Sequence, residues 1–256
     1  MTPRRALPSA ALLLLLALAA ADAASWAVPP AASGPVAEAW ALFQSYHEDL
    51  GRIDRAREVL EGVRAREPSV EGLVLLAWVH LAWGDLRARS SEEKLAAYER
   101  GREVAKRAIE LAPRNTEAHL WYAANLGRWA ITRGKLRAAF LVSTIREAIE
   151  TVLQLDPNHV AGLALAGSFY LETPGFLGGD VAKAESYERK ALTLDPHFTR
   201  ARIELAKCLI EERRYAEARR ELQHLLDERQ PSYVADWTVR HRPTAEQLLA
   251  QIRNKS

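Results

Sequence analysis

Ten residues recurring three or four positions apart in three segments could line one surface: Leu75, Val79 and Trp83; Leu120, Trp121, Ala124, Asn125 and Arg128; and Ala164 and Ser168. At that spacing side chains share a helix face. The surface so formed is apolar with one basic group. Such a surface holds a hydrophobic molecule by burial and orients an acidic end through charge-assisted hydrogen bonds. A peptide C-terminus asks for more, because its carboxylate needs several inward Lys, Arg and Asn side chains and only Asn125 and Arg128 are offered. One alternative stays open from sequence: Trp83 and Trp121 fill core space between helices, as buried aromatics commonly do.

Catalytic chemistry finds no such footing. His47-Glu48 begins like a zinc-protease helix, but Gly51 stands where the second histidine must share the face, so both residues are read as solvent-facing positions of a helix. Gly134-Lys135 ends like a phosphate-binding loop, yet the spacing is wrong and no Ser or Thr follows, so a turn between helices is expected. Ala166-Gly167-Ser168-Phe169 lacks the second glycine of a nucleophile elbow, and Gly167 is expected at a close helix contact. Cys208 falls among Leu205, Ala206 and Leu209, the place of a small buried hydrophobe. Carboxylates such as Glu211, Glu212 and Glu217 sit beside arginines at helical offsets, the pattern of a solvated face. Asn254-Lys-Ser256 matches a glycosylation acceptor only formally. With no nucleophile, base and orienting group to assemble, the chain is read as non-catalytic, with neither cofactor nor metal.

Composition agrees with a binding protein. The 256 residues carry 35 Lys and Arg against 33 Asp and Glu, a formal net charge of +2, which supplies no basic field for nucleic acid. Hydrophobic residues make up 48%, enough for a sizeable core, and a single cysteine rules out an intrachain disulfide framework. Arg4 and Arg5 precede an apolar run from Ala10 to Ala21 and the small-x-small triplet Ala21-Asp22-Ala23. Residues 1–23 therefore read as a cleavable secretory signal, too short for a lasting membrane span, and 24–35 as a flexible leader. The expected setting is periplasmic or secreted; retention of the signal as an anchor is the competing outcome.

The elements that must position the surface are helices. From Val36 onward apolar spacing is helical, and three copies of one closing pattern recur: Ala108-Ile-Glu-Leu-Ala-Pro113, Val152-Leu-Gln-Leu-Asp-Pro157 and Ala191-Leu-Thr-Leu-Asp-Pro196. Pro68 and Pro231 mark looser copies, and the intervals of 45, 44, 39 and 35 residues between the five prolines shrink toward a period of about 34. The chain resembles the tetratricopeptide repeat (TPR) family, whose unit is a pair of antiparallel helices packed through small residues. Ala56, Leu60 and Val63 with Trp40 fit the first unit, Gly179-Asp180 with Ala184, Tyr187 and Ala191 the fourth, and Ala201, Ala206, Tyr215, Ala218 and Leu222 the fifth. Units two and three depart from it, with Gly101 and Ile145 where alanine is usual and with second helices lengthened to about 91–111 and 135–155. Ser90-Ser-Glu-Glu93 offers a capping box for the former, and Gly51, Gly84 and Gly134 are placed at the turns within units. A helix over about 243–254, with Ala245, Leu248, Leu249 and Ile252 on one face, caps the stack. The expectation is one all-α solenoid domain of five units and a cap over 36–256.

Four segments carry a narrower likeness: His119-Leu-Trp-Tyr-Ala-Ala-Asn-Leu-Gly-Arg-Trp129, the helix after Lys135, the Pro174-Gly-Phe-Leu-Gly-Gly-Asp180 junction and the Pro243 helix. Over about half of the chain they resemble the T-component proteins of tripartite ATP-independent periplasmic (TRAP) transporters and, more distantly, the regulator of microtubule dynamics proteins. That resemblance implies an exported scaffold for protein assembly in the cell envelope or, alternatively, a periplasmic carrier of a small hydrophobic, acidic ligand tied to such a transporter. Members of the first group are often lipid-anchored, and no cysteine follows the apolar run here to take a lipid. The partner is then a protein or a small ligand in the concave groove, and self-association stays open.

Overall fold

A computed structural model describes residues 34–255; the expected signal and most of the expected leader lie outside the described residues. Five helical hairpins follow in order: α1 (Pro35–Phe43) with α2 (Gly51–Arg66), α3 (Val70–Leu86) with α4 (Ser91–Leu111), α5 (Thr116–Arg133) with α6 (Lys135–Leu155), α7 (Val160–Glu172) with α8 (Val181–Leu194), and α9 (Thr199–Glu211) with α10 (Tyr215–Leu226). A short α11 (Val234–Asp236) runs into a π-helical turn, Trp237–His241, and then α12 (Arg242–Gln251). Among the described residues there is no strand. Pro35, expected in the leader, opens α1, where its fixed φ and missing N–H cost nothing.

Local chemistry accounts for the boundaries. Ser69, Ser90, Asn115, His159 and Asp180 each precede a helix, and each side chain accepts an N–H from three residues on, at 2.9 to 3.2 Å. The Ser90 cap is completed by Glu93, whose carboxylate accepts the N–H of Arg89 at 2.5 Å. At the far ends, Pro113, Pro157 and Pro196 stop α4, α6 and α8. Asp156 and Asp195 then accept the N–H two residues on, each at 2.9 Å, so the Leu-Asp-Pro repeat is a turn as well as a stop. The lengthened second helices of units two and three are α4 and α6, with the bounds read from sequence.

Two placements differ from expectation. Gly134 does form a turn, at φ 106°, but Gly84 lies inside α3. There the Tyr98 ring of α4 packs where a side chain would stand, with a Cβ falling 2.4 Å from ring carbon Cε1. His47 and Glu48 lie in the turn between α1 and α2 instead of in a helix.

Small buried residues run along the stack, as close helix packing needs: Ala39, Ala56, Ala77, Ala105 and Ala118 in the N-terminal core, Ala206, Ala218 and Ala245 in the C-terminal one. Cys208 is fully buried, and burial pushes its thiol up to about 12, so it packs as a small hydrophobe. The expected cap is α12, with Ala245 and Ile252 buried against Leu222 and Leu225.

Before the cap, the chain takes a path that periodicity does not foreshadow. Residues 233–241 reach from the fifth unit to the first two. Tyr46 donates to Asp236 at 2.5 Å, Arg240 pairs with Asp85, and the Tyr233 ring meets Trp78 edge-on at 5.1 Å. Ala235 is buried in the N-terminal core cluster and Val239 packs against it. This segment is a strap that joins the two ends of the solenoid.

Candidate functional site

Between the strap and the inner helices lies a cavity of about 470 Å³. Trp78 and Leu81 of α3, Leu120, Trp121 and Ala124 of α5, Val142 and Ile145 of α6, and Leu165 and Phe169 of α7 form its apolar wall. Trp78 and Trp121 stack face to face, 4.6 Å between centroids and 13° between planes, as the floor beneath the strap.

Polar groups gather at two poles. At one, Asp85 accepts from the Tyr98 hydroxyl at 2.7 Å and pairs with Arg128 at 3.4 Å and with Arg240 of the strap. Burial works against the Asp85 charge, but the two guanidinium groups outweigh it and hold the carboxyl below its usual range. Arg128 is thus already committed to a carboxylate. At the other pole Arg200 donates to Ser168 Oγ at 3.3 Å, and Thr199 Oγ1 lies 2.8 Å from His241 Nδ1. Burial pushes His241 down to about 4, so the ring is neutral near pH 7. Among the described residues no carboxylate stands within ion-pair range of Arg200. Other carboxylates border the cavity, but Glu117 is bound to His159 at 2.8 Å and Asp236 to Tyr46 and Arg240, while Glu172 stands exposed at the edge.

Behind the second pole sits a buried acid. Glu188 of α8 is fully buried and neither carboxyl oxygen has a hydrogen-bond partner. It occupies the space left by Gly167, where a Cβ would lie 2.0 Å from its Oε1. Burial, with Glu204 nearby, raises it far above the carboxylate range, so it is neutral. Among the described residues no group of three His, Cys, Asp or Glu side chains is arranged to hold a metal ion.

Five of the ten residues picked from sequence border the cavity: Leu120, Trp121, Ala124, Arg128 and Ser168. The other five do not. Leu75, Val79 and Ala164 are buried in core clusters. Trp83 lies on the opposite side of α3, its indole donating to Asp54 at 2.6 Å beneath the Arg57 guanidinium. Asn125 is fully buried; its amide donates to the carbonyls of Ala77 and Trp121, and its oxygen fills the space above Gly101. On α3 the inner face is therefore Trp78, Leu81 and Asp85.

A family model described as regulator of microtubule dynamics protein 1-3 matches residues 36–174, more than half of the chain. The chain belongs to that family. The match covers the first three units and α7, and so the aromatic floor and, at the first pole, Asp85, Tyr98 and Arg128 but not Arg240. A tetratricopeptide repeat model matches residues 176–236, which hold the fifth unit and the start of the strap. No curated protein matches. Among solved structures, the thermophilic TPR protein TTC0263 of Thermus thermophilus is 19% identical, with 82% of this chain and 96% of that chain covered and a TM-score of 0.62. MamA of Desulfovibrio magneticus RS-1 is 17% identical over 77% of this chain and 96% of that chain, with a TM-score of 0.44. At such identity the Thermus likeness is one of fold: this member of the family is an all-α TPR solenoid.

Arg200, Arg240, His241, Trp78 and Tyr233 escaped sequence reasoning. They come from α3, α9 and the strap and meet only because the strap crosses the concave face.

Proposed function

We propose that this protein is an exported, non-catalytic TPR interaction module of the cell envelope, and that its concave face takes a small apolar molecule with one acidic group. One observation carries this reading: the strap occupies the face along which a TPR array would lay a peptide, and leaves beneath it an apolar cavity of about 470 Å³. Small-molecule sites commonly span about 300–1,000 Å³ with apolar walls and few polar groups. Arg200, with Ser168 and Thr199 beside it, is the group suited to the acid, in place of Arg128. Export rests on the Arg4-Arg5, Ala10–Ala21 and Ala21-Asp22-Ala23 pattern. Attachment to a TRAP-type transporter rests on the 119–129, 174–180 and Pro243 segments; membrane and solute-binding subunits encoded beside the gene would support it.

The experiment is a thermal-shift and native-mass titration with saturated and aromatic acids and the corresponding alcohols. The acids are expected to raise the melting temperature and quench Trp121 fluorescence, and Arg200→Ala to weaken them about tenfold while leaving the alcohols unchanged. Wild-type protein that responds to none of these molecules overturns the ligand reading. A second reading, protein assembly through the outer surface, is favoured by the exposed Arg107–Glu110 pair of α4, by the partly exposed Arg189–Glu185 and Arg214–Glu217 pairs, and by the TPR fold; it predicts partners lost on charge reversal there and indifferent to Arg200→Ala.

A further inference from the structure

The largest exposed apolar side chains gather at one end of the middle units. Leu136 and Phe140, one helical turn apart on α6, are 78% and 76% exposed, Ile131 near the end of α5 is 53% exposed, and Phe176 in the short helix Gly175–Leu177 is 88% exposed. The Gly175–Leu177 helix is tied to the middle of α6, where Arg146 donates to the Leu177 carbonyl at 3.0 Å, and Ile131 and Leu177 both border the cavity. The first part of α6 is apolar nearly all round. Ala138, Ala139 and Val142 face the cavity and Leu141 packs in the core, while Leu136 and Phe140 face outward with nothing upon them. A helix segment apolar on every side is normally buried on every side.

Charge indicates what covers it. Residues 118–146 contain no Asp or Glu, although the chain has 33, and they include Arg128, Arg133, Lys135, Arg137 and Arg146. Arg133 and Arg137 are exposed beside Leu136, and among the described residues neither has a carboxylate in ion-pair range. Arg133 lies over the Trp129 ring, 5.1 Å from its centroid. Outward Leu and Phe flanked by unpaired guanidinium groups is the chemistry of an interfacial segment, with apolar groups at the acyl boundary and cations at the headgroups. No helix among the described residues is long and apolar enough to cross a membrane, so the contact is peripheral.

We propose that this end of the molecule, from Ile131 to Phe140 together with Phe176, docks on an anionic lipid bilayer. The rim of the cavity then meets the acyl region, and an apolar molecule can pass between bilayer and cavity without crossing water. Docking itself does not rest on the cavity being filled.

Flotation with phospholipid vesicles tests it, using residues 24–256, which keep every described helix and lack the apolar run of the expected signal. The protein is expected to float with vesicles of phosphatidylcholine and phosphatidylglycerol, to float far less with phosphatidylcholine alone, and to be released by high salt. Leu136→Ser with Phe140→Ser should lower the bound fraction about tenfold or more. Arg133→Glu with Arg137→Glu should remove the preference for phosphatidylglycerol. All four side chains are exposed, so unchanged circular dichroism and melting are expected. Equal flotation of wild type and variants overturns the proposal. So does absence of flotation; if the same substitutions then abolish self-association in sedimentation, the face belongs to a second copy of this chain. Acid titration of the variants separates the two proposals, since a retained thermal shift leaves the cavity reading intact when docking fails.

Discussion

Glu188 is an ionisable group that the fold keeps from ionising. Burial without a partner raises its folded pKa well above that of the unfolded chain, so the native state binds the extra proton over the interval between the two. Its contribution to stability is complete below the unfolded value and declines as pH rises toward the folded one. Glu188→Gln, a neutral isostere, should match the wild type near pH 4 and melt several degrees higher near pH 8. Melting curves across that range check it, and an unchanged difference at both ends contradicts the assignment. Asn125 teaches a related lesson about reading residues. A polar side chain on an inner helix invites a binding role, yet here its amide secures two backbone carbonyls and its bulk replaces the missing side chain of Gly101.

For the helices themselves, the decisive quantity is the space between neighbours. Gly84 of α3 and Gly62 of α2 look alike in sequence, each inside an amphipathic segment. A Cβ on Gly84 would meet the Tyr98 ring at 2.4 Å, whereas one on Gly62 would meet nothing within 4 Å. Gly84→Ala should therefore destabilise by about 1–3 kcal/mol, and Gly62→Ala should stabilise by about 0.5–1 kcal/mol. Chemical denaturation of the two variants gives opposite shifts in midpoint if packing governs, and equal shifts if helix propensity alone does. Helix length and termini were legible because caps and stops are local: Ser90 with Glu93, Asn115, Asp180 and the Leu-Asp-Pro turns act within a few residues. Facing was less legible. A spacing of three or four residues says which side chains travel together, not toward which neighbour, and so α3 was turned to Val79 and Trp83 instead of Trp78 and Leu81.

Across the whole molecule, the strap decides what the solenoid can bind, and Asp85 decides whether the strap stays down. Its carboxylate is nearly buried and holds Arg240 of the strap and Arg128 of α5 together. Asp85→Ala leaves both guanidinium groups without it, at a cost on the order of 3 kcal/mol. Hydrogen exchange should rise selectively over residues 233–241, and acrylamide should then reach the Trp78 and Trp121 pair. Uniform exchange across the chain would mean that the pair supports general stability instead of closure. The same carboxyl has a folded pKa below its unfolded value, so its contribution holds above the unfolded value and is lost as pH falls through the folded one. Acid should accordingly loosen the strap.

Sequence alone determined the all-α class, the repeating helix pairs, the lengthened α4 and α6, and the capping helix α12, all of which follow from periodicity, caps and turn chemistry acting over a few residues. Tertiary structure alone decided that the groove becomes a strapped cavity, that Arg128 pairs with a carboxylate while Arg200 among the described residues does not, and that Trp78 forms the floor. Those outcomes depend on pairs such as Arg240 with Asp85, 155 residues apart. Such partners meet only after the small rotation of each hairpin on the next has accumulated along the stack, a sum that no local pattern contains.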